Sequence, residues 1–286
     1  METTIKKIKE TLTPQYSQGE INSIIKIIFD KLKNYSHVDI IMRKDEVLCD
    51  HTKREIDDIL KRLLNREPIQ YIFNEAYFQG FTLKVTQDTL IPRPETEELV
   101  DIIVKENKGC DLHVLDIGTG SGAIAIALAK SLRFPIVNAT DISDKVIEIA
   151  MSNAKRLNVD INFSIEDILT ATPVHNNIYD IIVSNPPYIA NSERDFMEKN
   201  VLDYEPHSAL FVPDNDVLLF YRAITEYAVK TLKPGGRIYF EINSRFGKET
   251  TLLLSQYGFM DIAIIKDMYG LDRFAVAKRP NDYDFR

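Results

Sequence analysis

An apolar run that meets two consecutive prolines has few ways to continue in a folded chain. Ile178-Tyr179-Asp180-Ile181-Ile182-Val183 reads as a strand buried on both faces, and Ser184-Asn185-Pro186-Pro187-Tyr188 follows it. Neither proline has an N–H to give to a ladder, and each holds φ near about −65°. The chain therefore leaves the sheet here, with Asn185 presented at the strand's C-terminal tip. In open α/β sheets that edge is where ligands bind. Two readings of the corner stand side by side. In one it is a strand-terminating turn and nothing more. In the other it recognises a planar NH₂ group: the Asn185 side-chain oxygen and the Pro186 carbonyl are both acceptors and can take its two hydrogens together. That grip leaves the nitrogen lone pair aimed at an electrophile and stabilises the positive charge that develops on nitrogen. Tyr188 adds a flat surface for stacking.

From about residue 110 the chain alternates strand and helix, which implies an α/β fold with a mostly parallel sheet covered on both faces. Leu112-His113-Val114-Leu115-Asp116-Ile117 leads into Gly118-Thr119-Gly120-Ser121-Gly122 and then a helix, Ala123 to Lys130. Glycines at such a turn let the backbone approach a ligand, and the helix N-terminus offers free N–H groups. A second strand, Ile136 to Asp141, ends in an acid 19 residues after Gly122, placed to accept from a ribose diol. A helix through Leu157 and a third strand, Ile161 to Ile165, bring Glu166-Asp167-Ile168 to the next tip, where a carboxylate suits an adenine amino group and Ile168 forms an apolar cover. A glycine turn alone is shared with dinucleotide binders. Acids at three successive tips, Asp116, Asp141 and Asp167, suit a ligand carrying a ribose, an ammonium and a sulfonium better than one carrying a pyrophosphate, and so favour S-adenosylmethionine over NAD.

The remainder is less specific. Residues 1 to about 75 look helical, with apolar stripes at Ile21, Ile24, Ile25, Ile28 and Phe29, and at Ile56, Ile59, Leu60, Leu63 and Leu64, the second stopping before Pro68. Packing and the gripping of a partner remain equal readings of this module. Tyr77-Phe78 and Phe81 to Val85, separated by Gln79-Gly80, read as a β-hairpin between two domains. Ile91-Pro92-Arg93-Pro94-Glu95-Thr96-Glu97 is a proline-stiffened turn with a helix starting at Glu95 or Thr96, and serves either as a linker or as a wall of a site. Ile189 to Asp214 lacks periodicity and has the length of a functional loop. A helix from Asp216 to Leu232 stops at Lys233-Pro234-Gly235-Gly236, a strand runs from Arg237 to Ile242, a helix from Phe246 to Tyr257, and Ile262 to Lys266 with Arg273 to Ala277 closes the fold as an antiparallel pair.

The formal charge of −8 argues against generic affinity for nucleic acid, which rests on Lys and Arg neutralising phosphates. Cys49 and Cys110 share no motif, which fits a reducing compartment. His37, His51, His113, His175 and His207 show no metal-ligand spacing, so no metal is expected. No apolar leader or membrane-length run is present, and the expectation is a cytoplasmic protein with no membrane partner.

With these residues in view, the chain resembles almost end to end the HemK-type peptide chain release factor glutamine N5-methyltransferases, a class I family. The resemblance rests on the N-terminal helices, the 91–97 segment, Val114 through Gly122, Val183 through Ile189, and Glu205-Pro206-His207-Ser208-Ala209-Leu210. Asn-Pro-Pro-Tyr is shared with enzymes that methylate adenine or guanine amino groups, and its combination with the 91–97 segment is the more specific sign. The resemblance implies a Rossmann-like seven-stranded sheet with a small helical domain joined by a hairpin, divided as 1–75, 76–92 and 93–286. It implies that Gly118, Thr119, Gly120, Ser121 and Gly122 hold the methionine part of S-adenosylmethionine, Asp141 the ribose, and Asp167 with Ile168 the adenine. Asn185, Pro186, Pro187 and Tyr188 would take the glutamine amide of a Gly-Gly-Gln loop, with Asn185 also facing the cofactor and Arg93 and Glu95 on the substrate side. S-adenosylhomocysteine would be the product, the partner a class 1 release factor, and the enzyme a monomer without sequence-specific nucleic-acid binding. Ile168 stands where relatives often carry an aromatic, and His207 replaces a common arginine. The competing readings are an adenine-N6 or guanine-N2 methyltransferase acting on a flipped base, a noncatalytic binding module of the same fold, and, more distantly, an NAD-dependent oxidoreductase.

Overall fold

The computed structural model describes residues 1–173 and 175–281; the end of the 93–286 assignment, 282–286, lies outside the described residues. The chain divides into two compact units. One is Met1–Glu75 with Lys199–Tyr204, and the other is Ala76–Glu198 with the chain from Glu205 onward. None of the helices described is long and apolar enough to cross a membrane.

The first unit contains α1 (Glu2–Leu12), α2 (Gln18–Lys33), α3 (His37–Met42), α4 (Asp50–Leu64) and α5 (Ile69–Phe73). Ser17 and Glu20 close a capping box at the start of α2, satisfying two N–H groups that the helix cannot. The stripe from Ile21 to Phe29 is buried, as are Ile56, Ile59, Leu60 and Leu63 of α4, whereas Leu64 stays at the surface. Each fully buried Ile or Leu contributes about 1.5–3 kcal/mol of transfer free energy, so the stripes, rather than helix propensity, hold these short helices.

In the second unit, β1 (Glu75–Phe78) and β2 (Phe81–Lys84) form the expected hairpin about Gln79-Gly80. Then follow α6 (Pro94–Glu106), β3 (His113–Ile117), α7 (Ala123–Ser131), β4 (Ile136–Asp141), α8 (Asp144–Arg156), β5 (Asn162–Ile165) and β6 (Tyr179–Ser184). After these come β7 (Ile189–Ala190), then α9 (Lys199–Tyr204), which belongs to the first unit, and, again in the second, β8 (Phe211–Val212), α10 (Leu219–Thr231), β9 (Leu232–Glu241), α11 (Gly247–Gln256), β10 (Met260–Lys266) and β11 (Asp272–Lys278). Seven strands form one sheet in the order β10-β11-β9-β6-β3-β4-β5, in which β11 alone runs against the others. Alternation sorts side chains onto two cores: Val114, Ile181, Val183, Tyr239 and Val276 on one face, Leu115, Ile182, Ile238, Phe240 and Ala275 on the other. Both faces are covered, which explains why these strands read as continuous apolar runs.

Three elements differ from the sequence expectation. Helix α6 begins at Pro94, not at Glu95 or Thr96, because proline at the first helical position gives up an N–H that has no partner there in any case. Helix α10 spans Leu219–Thr231, and Lys233-Pro234-Gly235-Gly236 lies inside β9 instead of ahead of it. Tyr179 pairs with Leu232 but Ile181 pairs with Arg237, so the extra residues bulge out at the proline and at Gly235, whose φ is +80°. Finally, the connection after Tyr188 is ordered: β7 and β8 pair in parallel, and 3₁₀ turns cover Asn191–Phe196 and His207–Ala209. Pieces of two to six residues leave no periodicity to read.

Candidate active site

The C-terminal ends of β3, β4, β5 and β6 open onto one cavity of about 420 Å³. The glycine turn forms one wall. Backbone N–H groups of Gly118 and Thr119 both donate to the Thr140 carbonyl at 2.9 Å, which fixes the turn against β4. Gly118 and Gly120 have φ of +71° and +56°, and a Cβ at either would meet no atom within 4 Å. The glycines therefore serve a left-handed backbone and an open face, not a crowded neighbour. Gly122 does different work: it caps α7 away from the cavity lining, and a Cβ there would press on Ile126 and Ala150 at 3.2 and 3.3 Å. Thr119 and Ser121 line the cavity.

The strand-tip acids divide in the same way. Asp116 is fully buried beneath the turn and does not line the cavity. One carboxylate oxygen accepts from the Thr119 hydroxyl at 2.7 Å and from the Ala125 N–H at 3.1 Å, and burial pushes its pKa up to about 7. Asp141 does line the cavity; its carboxylate accepts from Gly120 N at 3.0 Å and Ser143 N at 3.2 Å, and burial raises it above the usual carboxylate range. Glu166, raised by burial, together with Asp167 and Ile168, completes that side.

The opposite wall is the proline corner. The Ser184 hydroxyl donates to the Ile117 carbonyl at 2.6 Å, binding the tips of β6 and β3 together. Asn185, Pro186 and Pro187 line the cavity, and so does Thr96. The Asn185 amide donates to the Thr96 hydroxyl oxygen at 3.4 Å, and that hydroxyl donates to the buried Glu241 carboxylate at 2.7 Å. Tyr188 is not part of the cavity lining. Its ring packs on the core and its hydroxyl donates to the other Glu241 oxygen at 3.1 Å, so the flat surface read from the sequence is turned into the protein. Burial and the neighbouring Glu241 charge hold the Tyr188 phenol far above its ordinary pKa, which keeps it a neutral donor.

Pro92 and Arg93 reach the cavity from the 91–97 segment, while Glu95 does not line it. The Arg93 guanidinium donates to Glu205 at 2.5 Å, and Ile91 N donates to the same carboxylate at 3.2 Å. Two segments 112 positions apart are thus locked together, with Pro206, Ser208 and Ala209 adding to the lining. His207 lies outside the lining, its ring edge-on to Phe211 at 5.4 Å.

Comparison with known proteins decides among the readings of this cavity. Residues 4–73 match the family model of the PrmC N-terminal domain and residues 95–203 that of the methyltransferase small domain. The chain is 44% identical to release factor glutamine methyltransferase of Bacteroides thetaiotaomicron over 95% of its own length and 98% of that protein. It is 47% identical to the Flavobacterium psychrophilum protein of the same name, over 92% and 94%. This chain belongs to the release factor glutamine methyltransferase family. A crystal structure of a methyltransferase from Pyrococcus furiosus shares the fold, with a TM-score of 0.52 and 19% identity over 78% of this chain and 99% of that one.

Set against the family's expected positions, the structure gathers Gly118, Thr119, Gly120, Ser121, Asp141, Asp167, Ile168, Arg93 and Asn185 through Pro187 around one cavity, and leaves Gly122, Glu95 and Tyr188 off its wall. Sequence reading missed the contributions of Thr96, Glu205 and Glu241. Thr96 was read as a helix start. Glu241 did carry a signal, an acid within the apolar strand that begins at Arg237-Ile238-Tyr239-Phe240, where a charge is rarely buried without partners.

Proposed function

We propose that this chain transfers a methyl group from S-adenosylmethionine to the side-chain amide nitrogen, N5, of the glutamine in the Gly-Gly-Gln loop of class 1 peptide chain release factors, tuning translation termination in the cytoplasm. The observation that carries this reading is the meeting of the Asn-Pro-Pro corner and the open glycine turn across one cavity. The cavity's residues fit the cofactor: the space beside Gly118 and Gly120 that a Cβ would fill is open, and Asp141, Glu166 and Asp167 offer acceptors for hydroxyl, amino and cationic groups. When bound, S-adenosylmethionine supplies an electrophilic methyl group.

What the chain's own residues do follows from their chemistry. The turn from Gly118 to Ser121 would hold the methionine part, Asp141 the ribose, and Asp167 with Ile168 the adenine. Asn185 and the Pro186 carbonyl would accept the two amide hydrogens of the substrate glutamine and orient its nitrogen. The proton is lost after the nitrogen has become cationic, so a strong base is unnecessary and the site works by positioning and by lone pairs aimed at developing positive charge. Residues 1–75 would grip the release factor away from its loop, 76–92 would link, and the remainder would carry catalysis in a monomeric enzyme.

The test is mass spectrometry of a release factor after incubation with the protein and S-adenosylmethionine. One added methyl on the loop glutamine is expected. Label from tritiated cofactor appearing only in nucleic acid would replace this reading with base methylation.

A further inference from the structure

We infer that Glu241 and Thr96 are positioning residues that fix which edge of the Asn185 amide faces the cavity. This rests on the function proposed above and assigns its orientation step to two residues outside the Asn-Pro-Pro-Tyr motif. An asparagine amide has two chemically opposite edges, a carbonyl that accepts and an NH₂ that donates, and they are nearly isosteric. Only the carbonyl edge can receive a hydrogen from a substrate amide. With the NH₂ edge turned inward, Asn185 would meet the substrate NH₂ donor against donor.

The choice is made by a relay that begins in the core. Glu241 ends β9 at 1% exposure, and an ionised carboxylate can only accept. Burial raises the Glu241 pKa above the usual carboxylate range; against it, each oxygen faces a hydroxyl, Thr96 at 2.7 Å and Tyr188 at 3.1 Å, and these two donors with the charge of Arg273 favour the ionised form. Thr96 has a single hydroxyl hydrogen, and Glu241 takes it. What the Thr96 oxygen has left for Asn185 is a lone pair, which can pair only with the NH₂ edge, as seen at 3.4 Å. The carbonyl edge is thereby turned away from Thr96. The same carboxylate restrains the far end of the motif through Tyr188, so one buried charge holds both the reactive residue and its chain neighbour three positions on.

The relay separates turnover from binding, and the test reads that split in the full-length protein with a class 1 release factor and tritiated S-adenosylmethionine. Thr96→Val keeps the volume but removes the oxygen. Its kcat is expected to fall on the order of 10- to 100-fold, the scale of a misoriented reactive group, with cofactor affinity by calorimetry and KM for the release factor little changed. Thr96→Ser, which restores the hydroxyl, should recover most of the loss. Glu241→Gln presents an amide that can donate to Thr96 and so reverse the relay; it should lose turnover as Thr96→Val does. Parent-like kcat in Thr96→Val overturns the inference. So does a loss of kcat and cofactor affinity together, or a failure of Thr96→Ser to recover, since either marks a packing role. A parent protein that labels no release factor overturns the proposed function itself, and the inference with it, whereas an active parent with unaffected variants overturns the inference alone.

Discussion

The glycine turn after β3 and the proline corner after β6 end neighbouring parallel strands and face the same cavity, yet they are built in opposite ways. The turn is shaped by near neighbours in sequence, with a tether to the adjacent β4 through the Thr140 carbonyl and Asp141. Asp116 accepts from Thr119 and Ala125, three and nine positions on, and the glycines themselves supply the left-handed backbone. The corner is stiff because of its prolines, but its chemistry is set from far away: Asn185 meets Thr96 across 89 positions, and Thr96 meets Glu241 across 145. A local device can be recognised from spacing. A device assembled from three strand and helix ends needs the fold to bring its parts together, and its failure should show in the rate before it shows in binding.

That contrast can be broken most sharply at Asn185. Asn185→Ala is expected to lower kcat by on the order of 10²–10³, as removal of one preorganised acceptor or donor does, while calorimetric affinity for S-adenosylmethionine stays near the parent value. Equal loss of both would put the asparagine in the cofactor site instead.

Beneath the turn, Asp116 provides a pH test. Its folded-state pKa, pushed up to about 7 by burial, exceeds the 3.8 of an exposed aspartate. The stability this carboxyl contributes is therefore fully present below about pH 4 and lost as pH rises through about 7. Asp116→Asn does not titrate, so the Tm of the variant relative to the parent should rise between pH 5 and pH 8, by the equivalent of a few kcal/mol at about 1.4 per pKa unit. A flat difference would mean that the carboxyl titrates normally.

A smaller effect is expected at Gly120. A Cβ there would meet no atom within 4 Å, but φ of +56° costs a β-branched residue about 1–3 kcal/mol, and a valine side chain would extend into the space proposed for the cofactor. Gly120→Val should weaken cofactor binding at least about tenfold, with kcat at saturation reduced less, the reverse of the Asn185 pattern. The smallest change is Tyr188→Phe. Losing one donor to the buried Glu241 carboxylate should cost about 1–3 kcal/mol in stability and lower turnover less than Asn185→Ala, because the ring stays packed on the core. A loss as large as that of Asn185→Ala would bring the tyrosine back to the substrate.

The order of strands and helices from Leu112 to Asp141 was legible because periodicity and glycine punctuation are properties of adjacent residues. So was the exit of the chain at Pro186-Pro187. The boundary at Lys233-Pro234-Gly235-Gly236 was misread for the same reason, since a Pro-Gly-Gly stop looks alike before a strand and within a bulged one, and only pairing with Tyr179 and Ile181 tells them apart. Asp116 and Asp141 look equivalent in sequence, each the acid near the end of a strand. Register places Asp116 beside Ala139 and Asp141 two residues further along the same face, so Asp116 lies deeper, buried beneath the glycine turn, while Asp141 at the tip itself reaches the cavity.

The linear order of residues was thus enough for an α/β sheet, a bend that exposes backbone N–H groups, and an asparagine held rigidly by prolines, because each of these follows from torsion angles and neighbours along the chain. Which hydroxyl meets which carboxylate, and hence which edge of that asparagine is free, was decided only when β6, β9 and the start of α6 were packed side by side. Hydrogen-bond direction depends on distances between atoms far apart in sequence, and no periodicity encodes those distances.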